Sequence, residues 1–165
     1  MLAVLIYVAA IVVANLTVAH FGPWFSAVNA FFLIGLDLAL RDHLHDRWRG
    51  QMLWPRMLGM ISLAGVLSYL LNPATGVIAF ASVVAFSASA LVDATVYQAA
   101  SGRSFMQRSN ASNTAGALVD SIIFPTLAFG GLLPHIVAMQ FVAKVAGGFA
   151  WSWLIWRCKQ ETAVQ

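Results

Sequence analysis

The sequence predicts an all-α polytopic membrane protein, a single integral membrane domain spanning 1–165 and built as a six-helix transmembrane bundle. Three observations carry that prediction. Apolar runs of bilayer-crossing length fill the chain, its cations are confined to a few places between those runs, and charge is too scarce for a water-soluble globule. Hydrophobic residues make up 61% and charged residues 9%, with a mean hydropathy of +0.81, whereas a soluble domain carries about 25% charged residues.

In order, the expected spans are 2–21, 24–40, 52–71, 74–100, 111–133 and 135–156. Each lies near the roughly 17–25 residues that cross a bilayer as a helix. Gly22 with Pro23, Asn72 with Pro73, Ser101 with Gly102, and Pro134 stand where an apolar run stops. Pro125 falls inside the fifth span and takes away the amide partner of the Ser121 carbonyl, so a kink is expected there. Ala143, Gly147 and Ala150 give the sixth span small residues that permit close helix approach.

All but Lys144 of the nine Lys and Arg residues lie in three groups: Arg41, Arg47, Arg49 and Arg56; Arg103 and Arg108; Arg157 and Lys159. The alternate turns at 20–24, 71–74 and 133–135 carry none. Because positive charge stays on the cytoplasmic side, both termini and the two longer loops are expected in the cytoplasm of a bacterial-type inner membrane. A net charge of +3 and a pI near 9.5 are thereby explained by orientation and anionic lipid, not by nucleic acid. Trp48, Trp54, Trp151, Trp153 and Trp156 lie toward the cytoplasmic half and Trp24 toward the outer end, as interfacial anchors do. Met1 runs directly into Leu2, Ala3 and Val4 without a positive n-region, so the first span is expected to remain as an anchor. The single cysteine, Cys158, reads as a free cytosolic thiol.

Inside a bilayer the informative residues are the polar ones, because an intramembrane charge is costly unless paired, hydrated or used. Asp37, Asp93, Asp120, Lys144 and, more weakly, Asn15 stand out. Asp37 is four residues before Arg41, the spacing of a local ion pair. Asp93 and Tyr97 have the same spacing and project from one face, as packing or as part of a ligand site. Ser109, Asn113, Gly116, Asp120 and Phe124 form one helical stripe that must face the interior, with Gly116 leaving room for a backbone or a ligand. Counted back from the outer turn at 1.5 Å per residue, Asp120 lies roughly 20 Å and Lys144 roughly 14 Å deep. A lysine side chain bridges that offset, so an Asp120–Lys144 pair is expected, as a helix lock or as part of a substrate or proton path.

Other chemistry finds little support. Arg41-Asp42-His43-Leu44-His45-Asp46-Arg47 offers two imidazoles and two carboxylates, but His43 and His45 fall on nearly opposite sides of a helix, so no metal site is expected. No phosphate loop, cysteine pair or nucleophile elbow suggests a cofactor or an enzyme. Two classes remain: a transporter, and a structural or assembly membrane protein whose buried polar groups serve packing alone.

Arg41-Asp42 followed by His45 and Gly50, Asp93-Ala94-Thr95-Val96-Tyr97, and above all Arg108-Ser109-Asn110-Ala111-Ser112-Asn113 leading to Asp120-Ser121-Ile122-Ile123-Phe124 resemble the vitamin uptake transporter family, also called the queuosine precursor transporters. The resemblance covers about residues 29–150. It implies a bundle similar to the substrate-binding subunits of energy-coupling-factor transporters, and import of 7-cyano-7-deazaguanine. A guanine-type edge needs a carboxylate for its parallel N–H donors, an amide for its carbonyl and an aromatic face. On the resemblance, Asp120, Asn113, Asp93, Tyr97, Phe124 and Lys144 are the expected substrate-binding residues, and Arg41, Asp42 and Arg108 the cytoplasmic gate. The substrate expected from the residues alone is a small planar polar solute. Energy source, homo-oligomer and coupling subunit stay open.

Overall fold

A computed structural model describes residues 2–48 and 51–163. The described residues form helices and short connections, with no strand among them. Six helical rods follow one another: α1 (Leu2–Phe21), α2 (25–48), α3 (Leu53–Leu71), α4 (Gly76–Ala99), α5 (Phe105–Ala128) and α6 (Pro134–Ala163). Leu2–Phe21, Leu53–Leu71 and Pro73–Ala99 are long and apolar enough to cross a membrane. The other three rods carry the polar residues that the sequence singles out. Arg49 and Gly50, part of the basic group and of the family motif respectively, lie outside the described residues.

Several helix limits differ from the apolar runs, for local reasons. α2 continues past Leu40 to Trp48, because Arg41, Asp42, Leu44 and His45 are buried rather than spread in a loop. α5 starts at Phe105, ahead of the apolar run, because Ser104 and Gln107 form a capping box that satisfies the first amides. It ends at Ala128, and Gly130 takes a positive φ of 75°, a conformation glycine adopts without the Cβ penalty. Pro125 is accommodated within α5, and the Phe129 amide returns to the Pro125 carbonyl at 3.0 Å.

α2 contains the one irregularity inside a rod among the described residues. Its Phe25–Asn29 and Gly35–Trp48 segments are α-helical, but Ala30–Ile34 between them is a π-helix, and the Gly35 amide reaches the Ala30 carbonyl five residues back. α6 packs directly on this bulge. A Cβ on Gly147 would lie 2.1 Å from the Phe31 carbonyl oxygen, so only glycine permits the approach. One turn on, the Trp151 indole donates to the Phe32 carbonyl at 3.1 Å.

The bundle places polarity inside and apolar surface outside. Leu5, Phe21, Leu70, Leu71, Val77, Phe80 and Val142 point outward, while Asn15, Arg41, Asp42, Asp93, Asp120 and Lys144 are buried. An apolar core that includes Tyr7, Ile11, Leu44, Met57, Ile61 and Phe86 joins α1 to α4. Asn15 ties the same helices by polar contacts, donating to Ser68 Oγ at 3.0 Å and accepting from Ser82 Oγ at 2.5 Å. Such interhelical hydrogen bonds contribute about 0.6 kcal/mol each on average in membranes, so their value lies more in fixing helix register than in stability.

Candidate functional site

The buried polar residues separate into two layers. The first lies toward the end of the bundle with the cation-free turns. Its centre is Lys144 on α6, whose Nζ meets Asp120 Oδ2 of α5 at 2.5 Å, Gln140 Oε1 at 2.8 Å and Ser121 Oγ at 3.2 Å. Three partners satisfy the three ammonium donors, which is what a buried lysine needs to stay charged. Gln140 passes the network to α2 by donating to Ser26 Oγ at 2.9 Å, and Ser26 in turn bonds the Pro23 carbonyl. Asn29 donates to the Ala14 carbonyl at 3.1 Å and to Thr17 Oγ1 at 2.8 Å, which joins α2 to α1.

These groups line a cavity between α1, α2, α4, α5 and α6. Asn15, Ser26, Asn29, Ser82, Asp120, Gln140 and Lys144 supply its polar wall, and Phe86 and Phe124 its rings. The space free of atoms is about 330 Å³, of which about 20 Å³ admits the centre of a water-sized sphere. A cavity of that size holds water, and a bicyclic ligand enters only if the helices part. In depth it belongs to the cation-free half: Gln140 and Lys144 lie roughly 9 and 15 Å along α6 from its first residue.

The model of one family, described as "putative vitamin uptake transporter", matches residues 1–157. The chain belongs to that family. No curated protein and no solved structure matches it. This member of a vitamin-uptake-type transporter family is thus a multi-pass membrane protein with a polar cavity among its helices.

The transporter's second polar layer lies toward the basic loops. Arg41 is 1% exposed and donates to Asp37 Oδ2 at 3.1 Å and to Ser89 Oγ at 3.0 Å. Asp42, fully buried, accepts from Ser109 Oγ at 2.5 Å and from Ser112 Oγ at 3.3 Å. Ser109 also meets Ser152 Oγ of α6 at 3.0 Å, and Asn113 Nδ2 donates to both serines at 3.3 Å. Asp93 sits across from Gly116, where an added Cβ would come within 3.3 Å of the Asp93 Cβ and 3.0 Å of Ser89 Oγ. The space left by Gly116 is therefore filled by α4. At the rim, Asp46 Oδ2 accepts from Tyr97 Oη at 2.9 Å and Arg108 at 3.0 Å, and the Arg108 guanidinium lies 4.4 Å over the Tyr97 ring.

Of the expected substrate residues, Asp120, Phe124 and Lys144 come together at the cavity, and Asp93, Asn113 and Tyr97 lie in the second layer. Tyr97 bonds Asp46 instead of its helix neighbour Asp93, because its hydroxyl reaches past the turn to α2. Of the expected gate residues, Arg108 lies at the rim, whereas Arg41 and Asp42 are fully inside. Gln140, Ser26, Asn29, Ser82 and Phe86 also line the cavity and were not singled out from the sequence. A signal for Gln140 was present: it stands four residues before Lys144, on the same face of α6.

Proposed function

We propose that this chain imports a queuosine precursor, 7-cyano-7-deazaguanine, across a bacterial inner membrane. Six spans and both termini in the cytoplasm complete the reading. The observation that carries it is the cavity of Asp120, Lys144, Gln140 and two phenylalanines inside a bundle of a vitamin-uptake-type family. Asp120 Oδ2 is held by Lys144, which leaves Oδ1 to accept N–H donors from a guanine-type edge. Gln140, Asn15 and Asn29 carry amides for the carbonyl and ring nitrogens, and Phe86 and Phe124 supply stacking faces. A paired carboxylate and ammonium give the wall no net charge, which suits a neutral heterocycle better than an anionic vitamin.

In this reading the ligand enters from the side of the cation-free turns. Asp93, Asn113 and Tyr97 then face the inward half of the path, with Arg41, Asp42 and Arg108 closing its cytoplasmic end. Any small vitamin-type heterocycle with the same donor edge is the alternative substrate.

The test uses a bacterium unable to make 7-cyano-7-deazaguanine, supplied with that precursor at a limiting concentration, with queuosine in transfer RNA as the readout. Restoration by the wild-type chain and its loss in Asp120→Asn, at equal membrane abundance, is the expected result. Absence of restoration by wild-type protein present in the membrane refutes the substrate.

A further inference from the structure

The second polar layer holds more carboxylates than cations, and its surplus has no place in substrate binding at the cavity. Among the described residues four aspartates are buried in the bundle, Asp37, Asp42, Asp93 and Asp120, against one arginine and one lysine, Arg41 and Lys144, with His45 buried as well. Each cation bridges one carboxylate, Arg41 to Asp37 at 3.1 Å and Lys144 to Asp120 at 2.5 Å. Asp42 and Asp93 have no salt-bridge partner among the described residues. Both are no more than 2% exposed.

Two ionised carboxylates so placed are costly, because Arg41, the cation that acts on both, already bridges Asp37. Two further observations point to a bound proton. Asp93 Oδ1 and Asn113 Oδ1 are buried acceptors with no hydrogen-bond partner, and both residues are 2% exposed. Asn113 lies in the same network, donating to Ser109, which donates to Asp42. The hydroxyl of Ser112 faces both carboxylates. Arg41 Nε and Tyr7 Oη in the same layer also lack a hydrogen-bond partner, so the want of a hydrogen is local to Asp93 and Asn113.

We infer that Asp42 and Asp93 form a proton-binding site that holds at least one proton in common in this conformation. The proton adds to a carboxylate oxygen from water and leaves to water, with no other bond made or broken. Tyr7 from α1, Arg41 from α2 and Tyr97 from α4 act on the pair directly; Asp37, His45 and Asp46 from α2 and Asp120 and Arg108 from α5 lie one interaction further out, through Arg41 or Tyr97, and α6 contributes the neutral Ser152. Arg41 is the cation that acts on both carboxylates, so a movement of α2 that carries Arg41 toward or away from Asp93 changes how firmly the proton is held. Its use in driving uptake rests on the import reading; the site itself does not.

Infrared spectroscopy of the full chain in lipid nanodiscs, without substrate, tests the site. At neutral pH the wild type shows a protonated-carboxyl C=O band that shifts in heavy water. The band is lost in Asp93→Asn or Asp42→Asn and kept in Asp120→Asn, whose carboxylate is the one paired with Lys144. Ser112→Ala, which keeps both carboxylates, moves the band by removing a hydroxyl between them and stands in if the asparagine variants fail to fold. No band in the wild type, a band unchanged in both asparagine variants, or a band unmoved in Ser112→Ala overturns the inference. A transporter that fails to restore queuosine yet keeps the band refutes only the substrate.

Discussion

The two polar layers of the bundle solve the same problem in opposite ways. Around the cavity, Lys144 is matched by Asp120, Gln140 and Ser121, and charge cancels. Toward the basic loops, Arg41 serves Asp37 while Asp42 and Asp93 depend on serine hydroxyls and lack a cation of their own. A cancelled layer can receive a neutral ligand without a change in its own charge. An uncancelled one, with Arg41 as its fully buried arginine, is where we place a shared proton, so on our two proposals recognition and response are separated within one small bundle.

The contrast breaks most sharply at Lys144. Lys144→Met strands Asp120 as a buried, unpaired carboxylate and is expected to cost about 3–5 kcal/mol, read as a lowered midpoint of thermal unfolding in detergent. Lys144→Met with Asp120→Leu recovers most of that loss, while precursor uptake stays absent. Asp93→Asn, in the layer with surplus carboxylate, is expected to leave the midpoint unchanged or raise it. A large loss in Asp93→Asn would show that the second layer is balanced after all.

Next in size is the contact that holds α6 against α2 beside both layers. Gly147→Ala drives a Cβ into the Phe31 carbonyl and is expected to cost about 1–3 kcal/mol. Gly148→Ala, whose Cβ meets Asn113 at an ordinary 3.7 Å, is the matched control. Equal midpoints for the two variants would mean that the helices part freely there. Phe124→Leu sharpens the cavity's role: loss of a stacking face worth about 0.5–1.5 kcal/mol raises the KM for uptake roughly twofold to tenfold with kcat preserved. The smallest effect belongs to the rim. Arg108→Gln removes a partly exposed pair with Asp46 and is expected to change stability by about 0–1 kcal/mol, measured by the same unfolding midpoint.

The six rods were legible in the sequence because apolar length and cation placement speak directly of a bilayer. The Asp120–Lys144 pair was legible too, since short turns fix neighbouring helices and depth follows from residue count. Helix limits were less so: the apolar run from Ala111 conceals the α5 start at Phe105, where the hydrogen-bonded box of Ser104 and Gln107, not hydropathy, sets the boundary. Residues paired across distant helices left no periodic trace. Tyr97 with Asp46, separated by 51 positions, and Gln140 with Ser26, separated by 114, depend on how α2 is rotated, and the π segment that sets this rotation has no hydropathy signature.

That segment has a consequence for how the rod is indexed. Each residue advances an α-helix by about 100°, and a π turn inserts one residue without adding a full step of rotation. Asn29 faces the cavity and Asp37 and Arg41 face the second layer because Ala30–Ile34 absorbs this phase error between them. Deleting Phe32, whose side chain points outward, would remove the surplus residue, so the rod would wind uniformly while Asn29 kept the cavity and Arg41 its own layer. The same one-residue deletion in the regular Gly35–Trp48 segment has no surplus to absorb it and would turn the residues on its two sides out of step by about 100°.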